Sequence, residues 1–520
     1  MKLLKLLMLA AILVCGASVF TSCSSDSDDN PVINPDEPQQ QLADYTIIYY
    51  GHGGGDLDMN LLRNITQFYQ SDTESRKNVS ICVQYKYSTL KSIQNLYESY
   101  KSKIDPNNPE DVEELERLKN LYPYAGKTTR FVVAQDADTD EAGEAAITGG
   151  FMGPDNADIS RADSLTNFIN WAAKTCPARK YILVLSDHGS GYLPQEELPA
   201  AAAAARQTRG LIIDDGHNGK HFTAKTFAQA ISQASVRPSV VYCDACLMNT
   251  VEYHFELAPL TDYLVLSTFT VPGGGGNYTE LVEALSDNPD NLEEALKRFA
   301  KSSVSVWDNM ANRNYCDMSI YRTAGIEAFG AALKTFTDRL VDAYQNCGDE
   351  VRAKIDEVTA NAYRIDGTRP EFDLMNYLTS LYMALPNEFF GDAYITLADK
   401  AYNDYIVQQQ NSKWLVENGH TVSLSVLLGC QGHYIDKIKE NLYLYDADGK
   451  VYQLLDDEDF GVRKELGSWG STLDATYGQL RFDQITGWSR WLKLNQQEPN
   501  LECFVEPYTA IWVEWPVINN

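Results

Sequence analysis

The sequence is short of the features that mark several common enzyme chemistries. No GxSxG segment occurs, so the strained turn that presents an α/β-hydrolase serine is missing. CxxC occurs once, at Cys243–Cys246, with no second CxxC and no His pair to complete a zinc site, and no metal is assigned. The 10 cysteines are scattered, unlike the dense spacing of a disulfide scaffold. Basic residues are outnumbered: 43 Lys and Arg against 72 Asp and Glu give a formal net charge of -29. Such a surface repels phosphate backbones, so no nucleic-acid partner is expected. No internal repeat is evident. What the chain does have is size, 520 residues at 44% apolar content, which is ample for a buried core and for more than one domain.

The N-terminus reads as an export signal. Lys2 and Lys5 precede an uncharged apolar run, Leu6 to Val14, too short to span a bilayer. Gly16, Ala17 and Ser18 follow, then Phe20-Thr21-Ser22-Cys23, which resembles a bacterial lipobox. The resemblance implies that residues 1–22 leave as a lipoprotein signal peptide and that Cys23 is lipidated, which anchors the chain to a membrane. Ordinary signal-peptidase cleavage nearby is the alternative. Residues 23–42 are Ser/Asp-rich, then Pro/Gln-rich, too polar to bury a core, and are expected to be a flexible acidic tether. An acidic stretch behind a lipidated cysteine resembles the surface-export signals of Gram-negative lipoproteins. It implies the outer membrane or cell surface of a Gram-negative bacterium.

Beyond the tether, strand-like and helical patterns alternate. Asp44–Tyr50, Val79–Val83, Arg130–Ala134, Lys180–Leu185, Ser239–Cys243 and Tyr263–Ser267 read as strands, and most are continuous apolar runs. Leu57–Tyr69, Arg161–Lys174 and Thr223–Ala234 carry helical spacing, with Thr223 as a cap; Leu90–Leu121 is helical but broken by Pro106 and Pro109. Alternation of this kind predicts parallel crossovers, and unbroken apolar strands predict a sheet covered on both faces. Residues 43–290 are therefore expected to form an α/β domain. Residues 291–520 change to long helical stretches, Ala324–Asn346 and Phe389–Trp414, followed by strand-like runs, among them Thr421–Leu428, Leu442–Tyr445 and Val451–Leu455, with Asp446–Gly449 as a hairpin turn. This is expected to be an α+β domain.

Two strands end in chemistry-bearing residues: Asp187-His188-Gly189 after one, and Asp244-Ala245-Cys246-Leu247-Met248 after another. Ligands bind outside the carboxyl ends of parallel strands, so His188 and Cys246 line one edge of the sheet if their strands are neighbours. A thiol is activated by a nearby imidazole and by a following helix N-terminus, and the stretch after Cys246 has helical spacing. Gly189 lacks a side chain, so its N–H, with that of Cys246, is a candidate oxyanion hole.

Together these segments resemble the clostripain family of cysteine peptidases, relatives of caspases, gingipains and legumains. The family shows an apolar strand ending in Asp-His-Gly, then a downstream Asp/Asn-x-Cys-Leu-Met with a nearby Glu, here Glu252. His precedes Cys, the order also seen in caspases. Tyr45–Asn60, Phe372-Asp373-Leu374 and Trp488–Leu492 resemble further family segments. The resemblance implies a caspase-like, mostly parallel sheet with helices on both faces, Cys246 as nucleophile, His188 as general acid/base, and protein or peptide substrates. It also implies that Asp244 lines the pocket for the P1 side chain, favouring Arg or Lys. Trypsin-like relatives carry Ser-Glu after the next strand; Ser267-Thr268 stand there, so P1 preference stays open, with Ser267 and Thr268 as candidate substrate-binding residues. Several relatives are zymogens cut between the His and the Cys, and Arg206 and Arg209, in the Ala-rich insert of that interval, are candidate self-cleavage sites.

Other signals carry less. His52–Gly55 reads as a tight strand-to-helix loop, and Asp187 and Cys243 as structural residues. Asp136, Asp138 and Asp140 have calcium-loop spacing without the Gly and Glu of an EF-hand. No cofactor is assigned; calcium use by some relatives keeps that ion open. A catalytically silent surface-binding protein that keeps the fold is the rival reading.

Overall fold

Strands apolar on both faces cannot leave either face to water, and the computed structural model shows how both are covered. It describes residues 42–137, 147, 149–192, 210–310, 315–363, 365, 371–419, 422–428, 434–438, 441–445, 450–454, 463–468 and 477–495. Along the chain the strands are β1 (Ala43–His52), β2 (Val79–Lys86), β3 (Thr128–Val132), β4 (Phe151–Met152), β5 (Ala178–Ser186), β6 (Leu211–Asp214), β7 (Lys220–Phe222), β8 (Val240–Asp244), β9 (Tyr263–Leu266), β10 (Asp317–Arg322), β11 (Glu371–Asp373), β12 (Ile406–Asn411) and β13 (Ser425–Leu427). Four more, β14 (Tyr434–Ile438), β15 (Asn441–Tyr445), β16 (Lys450–Leu454) and β17 (Arg463–Ser468), form a separate antiparallel sheet. The turn expected at Asp446–Gly449 lies outside the described residues.

The central sheet has 9 strands in the order β12-β10-β9-β8-β5-β1-β2-β3-β4. From β9 to β2 every pairing is parallel; the outer pairings on both edges are antiparallel. Successive side chains point to opposite faces. Ile48, Tyr50, Leu183, Leu185, Val241 and Cys243 join one core under the helices Ala162–Thr175, Ala224–Ser232 and Ile326–Asn346. Ile47, Tyr49, Ile182, Val184, Val240 and Tyr242 join the other under Asp58–Gln70, Tyr278–Asp287 and Leu292–Asp308. The fold is α/β, a mostly parallel sheet with helices on both faces.

Local chemistry sets the helix ends. Thr223 and Thr226 exchange side-chain-to-backbone hydrogen bonds, a capping box that opens Ala224–Ser232. Pro109, expected as a helix breaker, instead begins Pro109–Asn120, where its missing N–H costs nothing. Phe389–Trp414 is not one helix: Asn387–Ile395 is, but Ile406–Asn411 extends as β12 because its backbone pairs with β10 at the sheet edge. Strands β10 and β12 lie beyond residue 290, so the sheet runs through the boundary expected there, and the described residues from Leu42 onward form one compact unit. Among the described residues no helix is long and apolar enough to cross a membrane.

Candidate active site

Three adjacent parallel strands, β8, β5 and β1, end level with one another: Gly51 pairs with Ser186, and Ser186 with Asp244. His188 and Cys246 each follow two residues later, so the register alone puts them side by side at the carboxyl edge. Gly189 closes the gap. A Cβ there would fall 2.9 Å from the Cys246 nitrogen and closer still to the Cys246 carbonyl oxygen, so the His and Cys loops touch backbone to backbone only because this residue is glycine.

A third loop, after β1, completes the cluster. Gly54 sits in the left-handed region (φ 59°), and a Cβ on it would reach 2.7 Å from His188 Cδ2. That approach brings Asp56 Oδ1 within 2.7 Å of His188 Nε2. Burial opposes protonation of His188, but the hydrogen bond to Asp56 and the charge of Asp187 outweigh it, and the net shift of its pKa is upward. Asp187 is buried; its Oδ1 accepts the His188 N–H and its Oδ2 the Ile213 N–H, tying the loop to β6. Burial raises the Asp187 pKa to about 6 against the opposing charges of His52 and His188.

His52 lies beneath this loop, wholly buried. Its Nδ1 donates to the Lys86 carbonyl at 2.9 Å and its Nε2 stands 3.2 Å from Asp215 Oδ1. Burial pulls its pKa down, but the Asp215 hydrogen bond and the charge of Asp187 raise it to about 9. Lys86 and Asp214, both fully buried, pair at 2.6 Å. Among the described residues, Asp214 belongs to both groups of side chains that could hold a metal, His52/Asp214/Asp215 and Asp158/Asp214/His217, but the Lys86 ammonium already supplies it with a cation. Of the acidic triplet with calcium-loop spacing, Asp138 and Asp140 lie outside the described residues.

Around Cys246 the chain turns sharply, with Leu247 in the left-handed region at φ 63°. No helix starts there: the helix is Val251–Leu257, because Leu247 N–H donates to the Phe269 carbonyl and Asn249 N–H to that of Ser267. The expected help from a helix N-terminus is therefore absent. In its place the Val271 N–H donates to the Cys246 sulfur at 3.3 Å.

Asp244 is enclosed. Its oxygens accept from Tyr242 (2.7 Å), Tyr278 (2.5 Å) and Ser186 (3.4 Å), and Gly275 packs over it. Burial raises its pKa against those hydroxyl donors. Ser267 and Thr268, expected to face substrate, are buried: the Ser267 hydroxyl has no partner, and Thr268 Oγ1 donates to the Ser423 carbonyl and accepts from Asn249. Thr268 is drawn inward because Asp317 of β10 accepts its N–H and that of Phe269. Glu252, wholly buried, bonds the Leu427 N–H and the Tyr477 hydroxyl, with its pKa raised to about 7 by burial. Cys243 is buried in the core. Cys23, Arg206 and Arg209 lie outside the described residues. The sequence alone pointed to neither Asp56 nor Asp317; an acidic residue in a glycine-rich loop after β1 was the only signal for the first, and there was none for the second.

The sequence model of the clostripain family (peptidase C11) matches residues 135–474, about two thirds of the chain, including both His188 and Cys246. This chain belongs to the clostripain family. It is a cysteine peptidase. Among solved structures, this peptidase is similar to a secreted C11 cysteine protease from Bacteroides thetaiotaomicron in complex with an irreversible peptide inhibitor, at 15% identity over 86% of this chain and 99% of that one, with a TM-score of 0.53. It is similar also to an inactive zymogen C11 protease from Parabacteroides distasonis, at 13% identity over 86% of this chain and 98% of that one, with a TM-score of 0.50. At such identities the likeness is one of fold. No curated protein matches the chain.

Proposed function

We propose that this peptidase is an exported endopeptidase in which Cys246 is the nucleophile and His188 the general acid/base. The observation that carries the reading is the level register of β5 and β8, with Gly189 seated against Cys246. The sulfur attacks the scissile carbonyl carbon, and the N–H groups of Gly189 and Cys246 receive the developing oxyanion. His188 gives its proton to the leaving amine as the C–N bond breaks, which leaves a thioester on Cys246. Water, deprotonated by the same imidazole, hydrolyses the thioester and restores the thiol. Asp56, hydrogen-bonded to Nε2, supports the protonated imidazole that delivers the proton.

Cleavage after Arg or Lys through Asp244 belongs to this proposal, and it requires the Gly273–Gly276 turn to open, since the carboxylate is enclosed. Self-processing near Arg206 or Arg209, and anchoring through lipid on Cys23, belong to it as well. Their support is the basic residues between His and Cys, the lipobox-like segment, and solved relatives described as secreted and, in one case, as a zymogen. The enclosed Asp244 and Thr268 favour one rival, a silent surface-binding protein. A peptide panel with basic and neutral P1 residues decides: hydrolysis by the wild type, lost in both Cys246→Ala and His188→Ala, is expected. No cleavage of any peptide by fully processed protein overturns the reading. Intact-mass analysis of wild type and Cys246→Ala tests self-processing, with identical intact chains counting against it.

A further inference from the structure

The segment after β9 is held from below and reaches over the nucleophile. Asp317, on the neighbouring antiparallel strand β10, is fully buried and points both oxygens at main-chain donors: Oδ1 lies 2.9 Å from the Thr268 nitrogen and 2.8 Å from that of Phe269, and Oδ2 lies 3.1 Å from the Thr268 nitrogen. Ser319 adds its hydroxyl to Oδ2 at 3.4 Å. The Phe269 carbonyl, fixed by that grip, accepts the N–H of Leu247, the residue next to the nucleophile. Two residues further on, the Val271 N–H points at the Cys246 sulfur at 3.3 Å, closer than the Val271 carbonyl, which accepts from the thiol at 3.8 Å.

This chain of contacts answers a chemical need. A thiolate is stabilised by a donor aimed at sulfur, and the helix that could have supplied one begins only at Val251. Resting on the assignment of Cys246 as nucleophile, we propose that the Val271 main-chain N–H stabilises the Cys246 thiolate and that Asp317 is the positioning residue that holds it there. A buried carboxylate with paired donors is expensive to maintain, which fits a fixed geometric duty better than a general contribution to stability.

The titratable groups on the described elements packed around this turn are Asp187 and His188 after β5, Asp244 at the end of β8, Asp317 on β10, Tyr315 against Phe269, and Tyr363 beside the apolar cluster that includes Cys246. Val271→Pro changes none of them. It removes the donor and fixes the local φ, whereas Val271→Ala keeps the donor and removes side-chain carbons. The measurement is the pH dependence of Cys246 alkylation by iodoacetamide, followed by peptide mass in the full-length protein. For Val271→Pro the midpoint is expected to move to higher pH, with the rate below the midpoint about tenfold slower than for Val271→Ala. Asp317→Asn, which in place of Oδ2 sets an amide donor against the Thr268 N–H, is expected to shift in the same direction. Identical profiles for Val271→Pro and Val271→Ala overturn the proposal. If Val271→Pro does not fold, an unshifted Asp317→Asn profile overturns it. The readout is the thiol itself, so it is separable from peptidase activity: continued hydrolysis by Cys246→Ala sinks the nucleophile assignment instead.

Discussion

At the scale of single residues, the site depends on what two glycines leave out and what one carboxylate adds. Any side chain at Gly189 must displace the Cys246 backbone. Gly189→Ala is therefore expected to lower kcat/KM by about a hundredfold or more, the order lost with one oxyanion donor, and to lower the melting temperature as the two loops are forced apart. Hydrolysis assays alongside thermal melts check it, and a nearly active variant would show that the loops have room to separate. Asp56 acts differently, since its contact with His188 favours the protonated imidazole. In Asp56→Asn only the charge of Asp187 still raises the imidazole pKa, so the basic limb of the pH–kcat/KM profile is expected to move toward lower pH. An unmoved limb would mean that Asp56 is a surface contact only.

At the scale of elements, the C-terminal segment is tied to the helix Val251–Leu257, which follows the Cys246 loop. Trp488, just before Ser489–Leu494, is fully buried and its Nε1 donates to the Leu427 carbonyl at 2.8 Å; Tyr477 reaches Glu252 in Val251–Leu257. Trp488→Ala is expected to cost about 3–5 kcal/mol, from a large cavity and an orphaned carbonyl. Urea unfolding measures it, and a loss near zero would show that this segment packs independently of the sheet. Sequence reading found the segments here but not their joins. The Thr223 cap is local and was readable. β12 was not, because a helical pattern loses to a free sheet edge only when β10 is already there to pair with it.

At the scale of the whole molecule, buried charges set the pH response. The folded-state pKa values of Asp187 and Asp317 rise to about 6, and that of Glu252 to about 7, so the native state binds more protons than the unfolded chain as pH passes through this range. Stability from these groups therefore falls as pH rises from the ordinary carboxylate range to neutrality. His52, raised to about 9, contributes fully below its unfolded value and loses that contribution, about 3 kcal/mol, as pH rises through 9. Both effects have the same sign, and His254, lowered to about 3 by burial, opposes them only as pH falls below the ordinary histidine value. Asp215 and Asp158, shifted downward, weaken the fold only at lower pH. A melting temperature several degrees higher near pH 5.5 than near pH 9 is expected, by calorimetry on the intact chain. The opposite order would mean that the His52–Asp215 pair is not charged in the native state.

The sequence by itself determined the parallel strands, the doubly covered sheet and the two segments that meet at its carboxyl edge, because an apolar run ending in Asp-His-Gly or Asp-x-Cys is written in consecutive positions. Only the tertiary structure decided that Asp56 meets His188, that Asp244 and Thr268 are enclosed, and that Val271 reaches the sulfur. Those contacts join residues far apart in the chain, and their geometry is fixed by strand register and by the backbone approaches that Gly54 and Gly189 permit.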